Sequence, residues 1–412
     1  MKRLLLLSLL LAVLFWPGGR RPAAAQSIAA PDDSLGRPSV DAGDYLYVSG
    51  QGPRRADGTI PAKFSDQVRQ CLDNVKHRVE AAGLGVDHLV YTQVYLEDVT
   101  HYAELNQVFA DYFEKDPPAR GVLGVARVPD TALLINAVAV RDLAGRQAVS
   151  VPNWPASKGF SAGMLTRDRL FISTMPGSDP ATGAVPAGPA AQVDLALDRL
   201  SAVLGTAGLS NANMVFVNPY LTSAIPMRVM NEHYARRFEF GNTPGRATIK
   251  VSSLPEGAQI AYTGVAVRDL KQRKAVRPKN MPPSPTASPC VFAGDTLFCS
   301  AKDGFIPGPN GGIYAASTAD QTRQTMRNLL DNLEEADMSF DEVVSTTIYL
   351  DDLSDTPLFR NVYKKYFKGA LPAETTVEQL RPGDRKLEDE VHYPALEQVS
   401  LIAVRSKGRP AN

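Results

Sequence analysis

The sequence predicts an α+β fold, built three times over in one chain of 412 residues. Two observations carry this. Three segments end alike: residues 137–142 read AVAVRD, 264–269 GVAVRD and 401–406 LIAVRS. Each is an apolar run closed by arginine, the pattern of a buried final strand. Three earlier segments begin alike: 43–49 read GDYLYVS, 166–173 TRDRLFIS and 294–300 GDTLFCS. Each is a turn leading into apolar residues that stop at a serine, which reads as a strand.

The elements between these ends repeat in order. A turn follows the first strand, at Asp57–Gly58, Thr182–Gly183 and Gly311–Gly312. A helix comes next, around Gln67–Val75, Gln192–Leu200 and Gln321–Leu329. In the first copy Val68, Leu72, Val75 and Val79 recur at helical spacing and form one apolar face. Gly83 and Gly208 supply the left-handed residue that ends such a helix. The third copy has Asp337 there, so a different cap is expected. A strand follows at 90–96, 215–221 and 343–350, and a second helix at 102–113, 227–238 and 358–367. The resulting order, β-β-α-β-α-β-β, predicts helices packed on a mixed sheet. Pro-dense stretches at 150–157 and 276–289 read as linkers. The expected modules are residues 28–147, 155–272 and 284–408.

The N-terminus has the order of a secretory signal. Lys2 and Arg3 precede an apolar run, Leu4–Trp16, and then Ala23, Ala24 and Ala25. At about 1.5 Å per residue the run is too short for a hydrocarbon core of ~30 Å. Cleavage after Ala25 is expected, giving a secreted or periplasmic protein with no membrane anchor. Basic and acidic residues balance at 44 each, which leaves no cationic surplus for nucleic acid. The five histidines are scattered and suggest no metal site. Of the cysteines, Cys71 falls in a helix. Cys290 and Cys299 are expected as two separate buried thiols, with pairing across adjacent backbone as the alternative.

Ser49-Gly50-Gln51, Gln67 with Asn74, Asn106, Pro118-Ala119-Arg120 and the AVAV ending together resemble the Rid/YjgF-like family, also labelled L-PSP endoribonuclease. The resemblance covers most of the chain, in three copies. It implies a chorismate-mutase-like fold in which the modules form an intramolecular pseudo-trimer, sheets inside and helices outside, with three clefts between neighbours. It also implies metal-free and cofactor-free hydrolysis of small imines or enamines bearing a carboxylate, to keto acids and ammonia.

The same resemblance assigns candidate binding residues. Arg120 and Arg246 would grip the substrate carboxylate, for which a planar, permanently charged guanidinium is suited. Asn106, Asn231 and Asn361 would stand beside the guanidinium. Ser49, Ser173 and Ser300 would line the clefts, with a strand-end serine bonding a turn as the structural alternative. Phe160 would form an aromatic wall, set against Arg37 in the first copy and Ser288 in the third. Two departures stand out. The third copy has Glu374 in place of the arginine, with Arg381 nearby aligning with Arg127 of the first copy. The final-strand glutamate of active relatives is replaced by Leu134, Ala261 and Gln398. These losses leave a catalytically degenerate binding protein as the alternative reading, and an endoribonuclease as a minor one.

Overall fold

The computed structural model describes residues 36–279, 281–308, 312–380 and 394–406. The signal segment and Arg381 lie outside these residues. Three mixed sheets and six α-helices are present among them.

The first sheet comes from β1 (Ser39–Ala42), β2 (Tyr45–Gln51), β3 (Leu89–Leu96), β4 (Ala119–Gly124) and β5 (Leu133–Val140), in the order β1-β2-β5-β3-β4. Its helices are α1 (Phe64–Ala81) and α2 (Tyr102–Tyr112). The second sheet contains β6 (Gln147–Val149), β7 (Gly163–Leu165), β8 (Arg169–Pro176), β9 (Met214–Leu221), β10 (Gly245–Arg246), β11 (Ile249–Lys250) and β12 (Ile260–Val267), with α3 (Pro189–Thr206) and α4 (Met227–Ala235). The third contains β13 (Arg273–Val276), β14 (Cys290–Ala293), β15 (Thr296–Asp303), β16 (Val343–Leu350), β17 (Ala373–Glu378) and β18 (Glu397–Val404), with α5 (Thr318–Glu335) and α6 (Thr356–Tyr363). Strands β6 and β13 pair forward with β7 and β14. The second and third sheets therefore reach back before residues 155 and 284.

Each helix pair covers its own sheet with an apolar core. In the first copy Val68, Leu72, Val75 and Val79 of α1 are buried against Leu46, Val94 and Ile135. The third copy differs in chemistry. Positions held by Val68, Cys71 and Leu133 in the first copy, and by Val193, Ala196 and Ile260 in the second, carry Thr322, Thr325 and Glu397. Glu397 is fully buried, and Thr325 bonds one carboxylate oxygen at 2.5 Å while the other has no partner.

Two expectations are corrected. Cys290 and Cys299 are disulfide-bonded: they sit directly opposite on β14 and β15, with Cα atoms 4.1 Å apart, within bridging reach. The third copy's helix cap does not differ. Asp337 adopts φ 55°, beside 76° for Gly83 and 74° for Gly208. The backbone bond from Met338 to Leu333 repeats that from Leu84 to Val79, each 2.8–3.1 Å. Aspartate tolerates the left-handed region better than most side chains, so the turn survives loss of glycine.

The copies also meet one another. Residues at matching positions, Tyr47, Phe171 and Phe298, then Gln93, Asn218 and Thr347, line one internal cavity of about 120 Å³. Tyr95, Tyr220 and Tyr349 are buried in one shared cluster. Backbone amides of Arg37, Ser161 and Ser288 donate to Pro372, Pro118 and Pro244, joining first to third, second to first and third to second.

Candidate functional site

Those three amide bonds bring a parallel strand edge of one copy against the entry strand of the next. Each entry strand carries a β-bulge at its serine: Ser49–Gly50 face Asn136, Ser173–Thr174 face Thr263, and Ser300–Ala301 face Ser400. A bulge re-aims side chains, and two of these serines turn to the neighbouring copy. Ser173 Oγ accepts the Arg120 amide at 2.7 Å and donates to Ser161 O at 2.6 Å. Ser300 Oγ accepts the Arg246 amide at 2.8 Å and donates to Ser288 O at 2.6 Å. Ser49 instead bonds Pro38 O within its own copy, at 3.1 Å. All three hydroxyls are thus engaged with backbone.

At the first junction the Arg120 guanidinium reaches Asn106 of α2. Its Cζ lies 4.6 Å from the ring centres of both Phe109 and Phe160. Each such ring stabilises a cation by about 0.5–2 kcal/mol, and the two together narrow the approach of an anion. Arg120 is 2% exposed, and among the described residues Nε and Nη1 find no hydrogen-bond partner. Burial holds its pKa below the ordinary arginine value. A buried guanidinium edge without a partner is costly unless an anion completes it.

At the second junction Arg246 Nη1 donates to Asn231 of α4 at 2.7 Å. Among the described residues Tyr234 offers the ring nearest it, 5.2 Å away. Arg246 lines a cavity of about 310 Å³ with Thr248, Ser284, Ala287, Ser300, Lys302 and Gln398 among its walls. Among the described residues, Arg246 and Lys302 are the charged members of that lining, and none is a carboxylate. Burial lowers the pKa of both. Gln398 donates to Gln379 Oε1 at 2.8 Å. The residue in the glutamate position of this cavity therefore comes from the third copy, a sharing that reading each copy separately misses. Leu134 correspondingly lies beside Gly50 and Thr375 at the third junction.

At the third junction the charges are exchanged. Glu374 stands at the strand position and Arg360 of α6 faces it, with Arg360 Nη2 2.7 Å from Glu374 Oε2. Asn361 is not the counterpart of Asn106 and Asn231. It is exposed, whereas Arg360 follows buried Phe359 as Asn106 follows Leu105 and Asn231 follows Met230. Matching the apolar positions before the asparagines would have placed it correctly. Burial raises the Glu374 pKa, with Arg360 opposing.

The amide bonds also correct the alignment of Phe160. Ser161 matches Arg37 and Ser288, so Phe160 matches Gly36 and Ala287. Gly36 is pressed by Glu374: a Cβ there would lie 2.5 Å from its Cγ. The residue at this position is thus phenylalanine beside Arg120, alanine on the wall of the Arg246 cavity and glycine beside Glu374.

The Endoribonuclease L-PSP family model matches residues 30–141, 152–267 and 280–390. A 2-iminobutanoate/2-iminopropanoate deaminase of Escherichia coli K12 is 42% identical over 107 residues, 25% of this chain and 84% of that protein. A RutC family protein of Pyrococcus horikoshii is 35% identical over 107 residues, 25% of this chain and 85% of its own length. The crystal structure of a chorismatase covers 78% of this chain and 94% of its own at 13% identity with a TM-score of 0.54, a likeness of fold alone. By its three successive matches, the chain belongs to the Endoribonuclease L-PSP family, the Rid/YjgF-like proteins, in three tandem copies.

Proposed function

We propose that this is an exported deaminase that hydrolyses small imines or enamines bearing a carboxylate, with its principal site at Arg246. The single observation that carries this is the cavity where Arg246, Ser300 and Gln398 meet, with Arg246 and Lys302 as its charged members among the described residues. The deaminase named among the relatives supports the reaction class. Three copies closing on one another as a covalent pseudo-trimer, helices outermost, is supported by the cyclic amide bonds and the shared internal cavity. Such a chain would be a monomer, since the neighbouring copy is supplied intramolecularly.

Arg246 would take the substrate carboxylate bidentately, with Asn231 orienting the guanidinium. The iminium carbon then lies open to water. Attack by water forms the carbon–oxygen bond, and breakage of the carbon–nitrogen bond releases ammonia once nitrogen is protonated. An amide such as that of Gln398 can hydrogen-bond a water but transfers no proton. Proton movement therefore falls to solvent, which forgoes part of the ~10²–10⁴-fold that a positioned acid or base contributes. The Arg120 junction would be a second carboxylate site, and the Glu374 junction one whose charges pair with each other.

A second reading, a binding protein of the same fold without turnover, is favoured by Leu134, Ala261 and Gln398 in place of the strand glutamate. Keto-acid formation from freshly generated 2-iminobutanoate, with wild type and Arg246→Ala, separates the two. Acceleration that Arg246→Ala abolishes supports the deaminase. Binding of a 2-oxo acid without acceleration supports the second reading.

A further inference from the structure

Residue identity over the guanidinium varies from junction to junction, while the framework beneath it does not. The amides of Ser161 and Ser288 make the same bond, and Ser173 and Ser300 make the same pair of contacts. What differs is Phe160, stacked on Arg120 at 4.6 Å, against Ala287 on the wall of the Arg246 cavity. We propose that positions 160 and 287 set the size of ligand each site admits. The Arg246 site takes a carboxylate with an extended polar or acidic substituent, and the Arg120 site takes only a small one.

This rests on the carboxylate-binding reading of both arginines. Removing a phenyl ring from the position leaves room beyond the guanidinium, and the segment 281–289 walls that room with Met281, Ser284 and Ser288. Hydroxyls of Thr248, Ser284 and Ser288 offer donors along it, and Lys302 adds a second positive charge to the lining. A substituent ending in a carboxylate matches that lining better than an apolar one, whose burial would leave polar groups unpaired. At Arg120 the rings of Phe109 and Phe160 both come within 4.6 Å of the guanidinium carbon, so they fill room that a ligand's substituent would need.

The test is calorimetric titration of the full chain with two probes, pyruvate and 2-oxoglutarate. The readout is the ratio of their affinities in wild type, Ala287→Phe and Phe160→Ala. Ala287→Phe is expected to lower the preference for 2-oxoglutarate at least about tenfold, and Phe160→Ala to raise it and add a second equivalent of bound 2-oxoglutarate. Phe160→Ala removes bulk, so it keeps the test alive if the larger side chain at 287 impairs folding. If both acids bind wild type and neither substitution moves the ratio, the size rule is overturned while the carboxylate reading stands. If neither acid binds wild type, both fall.

Discussion

At Gln398 the chain keeps the length of the family's glutamate and loses its charge. The amide shares the Arg246 cavity and is already held by Gln379 at 2.8 Å. Gln398→Glu is expected to raise deaminase turnover about 10²-fold, because a carboxylate there can exchange protons with the attacking water. Steady-state kinetics of the variant check this. Glu397, its neighbour on the other face, is a structural liability. Burial pushes its pKa up to about 8, with the Thr325 bond opposing. A folded-state value above the unfolded one means the contribution is full at acid pH and is lost as pH rises through about 8. Glu397→Leu, which restores the leucine of β5, is expected to raise the melting temperature more at pH 9 than at pH 5. Equal shifts at both would refute the assignment. Neither residue's role was legible from its own copy. Gln398 acts in a cavity whose arginine lies in another copy, and Glu397 is polar at a position where the apolar period predicts a core residue.

Elements were far more legible than contacts. The helical spacing of Val68, Leu72, Val75 and Val79 marks a face, and all four are buried. The repeated glutamine has a plain local reason: Gln67, Gln192 and Gln321 each donate to the carbonyl six residues earlier, at 2.8–3.1 Å, tying the incoming loop to the helix. The Asp337 cap is not legible from the glycine rule, because the backbone bonds of the motif tolerate aspartate. The disulfide is not legible either, because pairing depends on strand register, which a short hairpin signal leaves open. Closing so short a loop restricts the unfolded chain modestly. Reduction is expected to cost about 2–3 kcal/mol of stability, felt in the third copy. Thermal melts with and without reductant, with Cys290→Ser as control, check the value. No shift in either would show that the bond adds nothing.

On the scale of the molecule, fusion frees each junction to differ, which identical subunits cannot do. One guanidinium lies against two phenylalanine rings, one opens on a cavity and one is reversed into a Glu374–Arg360 pair. The third junction is packed to the limit, with Gly36 under Glu374. Gly36→Ala is expected to destabilise the chain by about 1–3 kcal/mol through overpacking, read as a lower melting temperature, and Glu374→Ala in the same chain should recover it. The central claim is that Arg246, with residues of the third copy, forms the working site. The most direct measurement is the rate of keto-acid formation from freshly generated 2-iminobutanoate for wild type, Arg120→Ala and Arg246→Ala. The account predicts acceleration by wild type, most of it retained in Arg120→Ala, and a loss of about 10²-fold in Arg246→Ala, equivalent to one charged bidentate contact. Full activity in Arg246→Ala would contradict it.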